Sequence, residues 1–97
     1  MKKMSPIHPG EVLLDDFMAP RNLTANKLAL ELRVPSNRIS VLIRGERSVT
    51  PDTALRLAAF FETSPELWMG LQSQYDLAIA DDASGERIRR EIHAIEM

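Results

Sequence analysis

Apolar residues recur along this chain at helical spacing, and each run opens on a helix-start signal rather than on the alternation of a strand. Leu13/Phe17 and Leu14/Met18 are i,i+4 pairs behind His8-Pro9-Gly10-Glu11, which predicts an amphipathic helix over about 10–19, ended by Pro20. Thr24 caps a second helix with Leu28, Ala29 and Leu32 on one face. Val34-Pro35-Ser36 opens a third, with Pro35 preset for the first turn, Ile39, Leu42 and Ile43 at i, i+3 and i+4, and Gly45 at the stop. Thr50-Pro51 starts a fourth, whose apolar face is Leu55, Ala58, Ala59 and Phe60 or Phe61. Ser64-Pro65-Glu66 starts a fifth, with Leu67, Trp68, Leu71 and Tyr75 near one stripe. After Ala80, Asp81-Asp82-Ala83-Ser84-Gly85 reads as a turn. Ser84 then caps a short segment with Ile88, Ile92 and Ile95 at helical spacing. The expectation is an all-α fold of five short helices plus a short C-terminal helical tail, divided into a flexible N-terminus (1–7), a folded domain (8–80) and the tail (81–97).

Composition narrows the chemistry. The 97 residues are one domain's worth, and 44% hydrophobic with 27% charged falls in the globular range. No cysteine is present, which removes disulfides, thiolate zinc sites and a cysteine nucleophile together. His8 and His93 stand at opposite ends of the chain and form no ligand cluster; no metal or cofactor is expected. Asp15-Asp16 and Asp81-Asp82 are adjacent pairs, which point apart on a helix, and no glycine loop or nucleophile elbow appears, so an enzyme is not expected. No apolar run approaches the ~20 residues of a membrane helix. Pro6, His8, Pro9 and Gly10 interrupt any signal-like segment behind Lys2 and Lys3. The cytosol is the expected compartment.

The net charge of −2 conceals a division. Residues 20–49 hold six bases (Arg21, Lys27, Arg33, Arg38, Arg44 and Arg47) against Glu31 and Glu46, whereas residues 50–97 hold nine acids against four bases. A basic middle in an acidic chain fits a small DNA-binding module whose remainder faces away from phosphate; it also fits a solvated surface with scattered arginines.

The stretch that coincides with the positive charge, TANKLALELRVPSNRISVLIRG at 24–45, has a helix-turn-helix outline. Ala29 is small where the two helices cross. Leu28, Leu32, Val34, Ile39 and Leu42 anchor both from below. Ser36, Asn37 and Arg38 open the second helix with polar side chains, at the end where a recognition helix meets base edges. Asn can bond adenine in bidentate fashion and Arg guanine. An ordinary helical corner with polar residues facing water would share the same spacing.

Several separate motifs add to that outline. His8-Pro9-Gly10-Glu11, Arg44-Gly45-Glu46-Arg47 and Thr53-Ala54-Leu55-Arg56-Leu57-Ala58 stand in order, and from about His8 to Leu77 the chain resembles the HigA family of antitoxins, a branch of the Xre-type helix-turn-helix regulators. The resemblance implies a five-helix, lambda-repressor-like DNA-binding domain, usually homodimeric. Such a domain represses its own operon at a palindromic operator and neutralises a RelE-like, mRNA-cleaving toxin of the HigB type. By this likeness Ser36, Asn37, Arg38 and Val41 face outward from the recognition helix, and Ser40 reaches the groove or a phosphate. The other outcomes the resemblance leaves open are an orphan Xre-type regulator without a toxin and an interaction module that has lost DNA binding. A short basic RelE-like reading frame beside the gene separates antitoxin from orphan regulator.

Around the recognition helix, Arg44 and Arg47 flank Gly45 and are read as phosphate contacts, with Lys27 as a further candidate. Thr24 is an N-cap whose helix-start amides can also meet a phosphate. Arg33 stands in the turn where related domains often carry Gly, either reaching toward phosphate or solvated, and Glu62 takes a similar helix-end place. Trp68, Leu71 and Tyr75 are core residues or, since a small domain cannot bury every large side chain alone, a dimer surface. The tail docks on its own domain, on a sister subunit or on the toxin, or frays.

Overall fold

The computed structural model of the chain describes residues 5–96, and among these every regular element is helical. Helix α1 runs Pro9–Val12, continues through a π-helical stretch Leu13–Met18 and closes in a 3-10 turn, Ala19–Arg21. Helices α2 (Ala25–Leu32), α3 (Ser36–Ile43), α4 (Pro51–Phe61), α5 (Pro65–Ala80) and α6 (Glu86–Glu91) follow. The first four residues of the expected flexible N-terminus lie outside the described residues, as does Met97.

Caps set most boundaries. Thr24, Thr50 and Ser64 each accept a hydrogen bond from the amide three residues on, and Pro51 and Pro65 occupy the first turn, where no N–H is needed. His8 caps α1, its ring accepting from the Gly10 amide. The end of α1 departs from expectation. Pro20 lacks an N–H and cannot continue the α ladder, so the Ala19 amide reaches back five residues to Leu14 and a 3-10 turn carries the chain past the proline. Asn22, left-handed at φ 54°, makes the stop instead. Arg33 and Glu62, at φ 59° and 57°, end α2 and α4 in the same conformation.

Leu13, Met18, Leu28, Ile39, Leu42, Leu57 and Trp68 fill one core, with Phe17, Phe61 and Leu71 packed around it. On α4 the buried face is Thr53, Ala54, Leu57 and Ala58; Leu55 and Ala59 point to solvent, against the apolar face expected from spacing.

Two further expectations are corrected at the C-terminus. Asp81–Gly85 is not a turn but a π-helical stretch joining α5 to α6, with helical dihedrals from Ala80 through Glu86. Ser84 therefore caps nothing, and its hydroxyl donates to the Ala80 carbonyl. The joined helix runs from Pro65 to Glu91, about 40 Å at 1.5 Å per residue. It stretches the molecule to 52 × 30 × 21 Å. The expected helical tail stops short: the helix ends at Glu91 and Ile92 is extended, so Ile92 and Ile95, 67% and 83% exposed, share no helical stripe with Ile88, which is 46% exposed.

Candidate nucleic-acid interface

Helices α2 and α3 form the corner that the spacing predicts. Ala29 is buried at the crossing, its carbonyl takes the Val34 amide, and Arg33 turns the chain between them. Burying Ile39 and Leu42 beneath α3 rotates the rest of its surface outward. Ser36 and Asn37 are exposed, and Arg38, Ser40 and Val41 are half-buried beside them. The Ser40 hydroxyl donates to the Asn37 carbonyl at 3.3 Å, so at rest it serves the helix backbone.

Three of the six bases of the positive stretch are held in ion pairs. Arg38 Nη1 lies 2.6 Å from Asp52 Oδ2, Arg44 Nε lies 3.1 Å from Glu46 Oε2, and Lys27 Nζ lies 3.3 Å from Glu31 Oε1. Arg21 stacks over the Phe17 and Phe61 rings, with its guanidinium carbon 5.8 and 5.4 Å from their centroids. Arg33 and Arg47 form no ion pair among the described residues. Exposed pairs such as these contribute little to stability and exchange readily for another anion.

Arg38 and Arg47 converge with Ser48, Thr50 and Thr53 on one open groove of about 420 Å³, beside the outward face of α3. Spacing did not single out Ser48 or Thr53. The signal was the short loop between Gly45 and the Thr50 cap, which returns α4 to the start of α3.

Three residues that sequence reasoning missed hold this surface. Asp52 takes Arg56 Nε at 3.0 Å as well as Arg38, and Arg56 Nη1 donates to the Leu32 carbonyl at 2.9 Å. The Arg56 hydrogen bond, then that of Arg38, holds the Asp52 carboxyl below its ordinary range. Gln72, buried on α5, accepts the Val49 amide at 2.8 Å and donates to Asp76 at 2.9 Å, anchoring the loop before α4. No periodicity reveals pairings that span 14 to 24 residues.

The remaining expected contacts sit apart. Thr24 Oγ1 accepts the Lys27 amide at 3.1 Å. Trp68 is wholly buried against Phe17 and Phe61 and donates from Nε1 to Thr63 Oγ1 at 2.9 Å, so it has no surface left for a dimer contact. Leu71 packs half-buried on the core, and Tyr75 lies half-buried against His8.

Residues 16–68 match the helix-turn-helix family model. A HigA-family addiction-module antidote protein from Coxiella burnetii is 46% identical in sequence and superposes with a TM-score of 0.90, over 95% of this chain and all of that one. The Pseudomonas aeruginosa antitoxin HigA, solved with the higBA promoter, is 40% identical with a TM-score of 0.90, over 94% of this chain and 99% of that one. Antitoxin HigA-1 of Vibrio cholerae is 36% identical over 75 residues, 77% of this chain and 70% of that protein.

Proposed function

Because the chain belongs to the Xre-type helix-turn-helix family, in its HigA antitoxin branch, we propose that it binds a palindromic operator as a homodimer, represses its own operon and neutralises a RelE-like toxin. The observation that carries the DNA reading is the outward face of α3, with exposed Ser36 and Asn37, bordered by the groove that Arg38 and Arg47 line.

In this reading Asn37 and Arg38 meet base edges, and Ser36, Ser40 and Val41 fill the major groove around them. Arg44, Arg47, Lys27 and the amides behind Thr24 meet phosphates, which position the helix without reading sequence. The surface pairs of Arg38, Arg44 and Lys27 open onto DNA at small cost, Arg38 to base edges and the other two to phosphate, since exposed ion pairs are weak.

One recognition helix spans only a few base pairs, so specificity calls for two copies about 34 Å apart. The apolar residues left uncovered along the long helix, Leu77, Ile79 and Ile88, and Ile92 just past its end, support joining near Leu71, Tyr75 and the tail.

A gel-shift titration on the promoter of the operon that encodes the chain tests the DNA reading. An Arg38/Arg44/Arg47 triple alanine variant should lose binding. If it binds as tightly as the wild type, the assignment is wrong. Co-purification with the RelE-like product of the adjoining gene tests the antitoxin reading.

A further inference from the structure

The His8-Pro9-Gly10-Glu11 motif has no part in the DNA-facing surface, yet it is built against the back of it. A Cβ on Gly10 would collide with the carbonyl of Leu42, so α1 meets the end of α3 backbone to backbone, as only glycine allows. The His8 ring then covers Gly45, which turns at φ +76° directly after α3; a Cβ there would stand 3.6 Å from His8 Cγ. On its far side the ring meets Tyr75 edge-on, with centroids 4.8 Å apart.

Nδ1 accepts the Gly10 amide at 2.9 Å, so in the neutral ring the proton sits on the other nitrogen, near enough to the Arg47 backbone to favour the protonated form. With the His8 ring against Gly45 and the Val49 amide bound by Gln72, the loop that carries Arg44 and Arg47 is held at two points.

Resting on the DNA-binding reading above, we propose that His8 is a positioning residue for operator binding: its neutral ring fixes the loop after the recognition helix, and so the place from which Arg47 meets phosphate. The residue acts through the Gly45 turn and touches no DNA itself.

Protonation would undo the arrangement, because Nδ1 would become a donor facing the Gly10 amide. Desolvation in this setting lowers the pKa of His8 from its ordinary 6.5, while the carboxylates of Asp76 on α5 and Glu11 on α1 and the nearby Arg47 backbone oppose that shift. Tyr75 is the other titratable group against the ring. The pinned loop is therefore complete above about pH 6.5 and is lost as pH falls through the lowered value.

His8→Asn separates capping from loop positioning. Asn keeps an oxygen for the Gly10 amide, as a good N-cap, but lacks the ring over Gly45. The probe is a duplex of the chain's own operon promoter, titrated by fluorescence anisotropy at several salt concentrations. His8→Asn should melt within a few degrees of wild type, bind roughly three- to tenfold more weakly at pH 7.5 and lose about one unit of salt slope, the signature of one phosphate contact. Wild-type affinity should fall severalfold on acidification from about pH 7.5 to 5.5, and that of His8→Asn should not. Equal affinity and slope for the two proteins, or wild-type binding that stays level or tightens in acid, overturns the inference. The wild-type pH titration decides alone if the variant fails to fold. Absence of wild-type binding to the promoter overturns the DNA reading itself, and this inference with it.

Discussion

The Arg38 guanidinium meets the Asp52 carboxylate at 2.6 Å, joining the first turn of α3 to the first turn of α4. Through Arg56, the same carboxylate reaches the Leu32 carbonyl at the end of α2. One exposed acid thus relates the two helices of the corner to the helix behind them, and holds the arginine proposed to read bases. With its pKa lowered by the two arginines, Asp52 contributes above the ordinary carboxylate range near about 4, and the contribution is lost as pH falls through the depressed value. Between pH 5 and 8 the network should not titrate.

Asp52→Asn should leave the protein folded and shift its DNA preference. Arg38 and Arg56 would lose their shared anion beside the proposed phosphate surface, so binding to non-specific duplex should tighten. The ratio of operator to non-specific affinity should then fall, with the salt slope rising by about one. Competition titrations against bulk genomic DNA measure the ratio; an unchanged ratio would remove Asp52 from any role in recognition.

Asn37→Ala removes an exposed side chain with no structural bond in the corner, so its effect belongs to binding alone. It should cost about 1–3 kcal/mol on the operator and relax base preference at one position, without changing the salt slope. Arg47→Ala should do the reverse, weakening all sequences evenly and lowering the slope by about one. Selection from a randomised operator library, read for each variant, tells the two behaviours apart.

Trp68→Ala should destabilise the fold by about 3–5 kcal/mol, because it opens a cavity among Phe17, Phe61 and the core and leaves Thr63 without its donor. Urea unfolding measures this. A variant that keeps wild-type stability while losing self-association would return Trp68 to the dimer surface.

Glu62→Gly should raise stability by up to about 1 kcal/mol, since φ 57° strains a residue that carries a Cβ. Thermal unfolding checks it, and a lower midpoint would mean the left-handed cap is not strained.

What the sequence disclosed, and what it withheld, follows from the range of the forces involved. Thr24, Thr50 and Ser64 bond three residues ahead, and Ile39 and Leu42 share a face three residues apart, so caps, the corner and its outward face were legible. Pro20 misled because its effect depends on whether the preceding turn can widen, which it does through the Ala19 amide. Gly85 suggested a turn, yet its helical dihedrals pass the chain on. Trp68 was ambiguous between core and dimer until Thr63 and Phe17 closed around it. His8, Asp52, Arg56 and Gln72 act on partners that only the fold brings near.

Truncation after Ala83 tests the long helix. The missing segment carries Ile88, Ile92 and Ile95, all substantially exposed; its ion pairs Arg87 with Glu91 and Arg90 with Glu86 are internal to it, while Arg89 reaches back to Asp81 and the Ser84 hydroxyl to the Ala80 carbonyl. Little of the domain's own burial is lost, so the unfolding midpoint of the monomeric unit should move by only a few degrees. Apolar residues left uncovered at the end of the long helix and just beyond it call for a partner, and the cover proposed above is the same segment of a sister chain. Self-association and operator affinity should therefore fall together, by sedimentation and by anisotropy. If the truncated protein instead still dimerises and binds its operator, but no longer retains the co-expressed RelE-like protein, the segment's cover is the toxin. The helix then projects from the domain to present it.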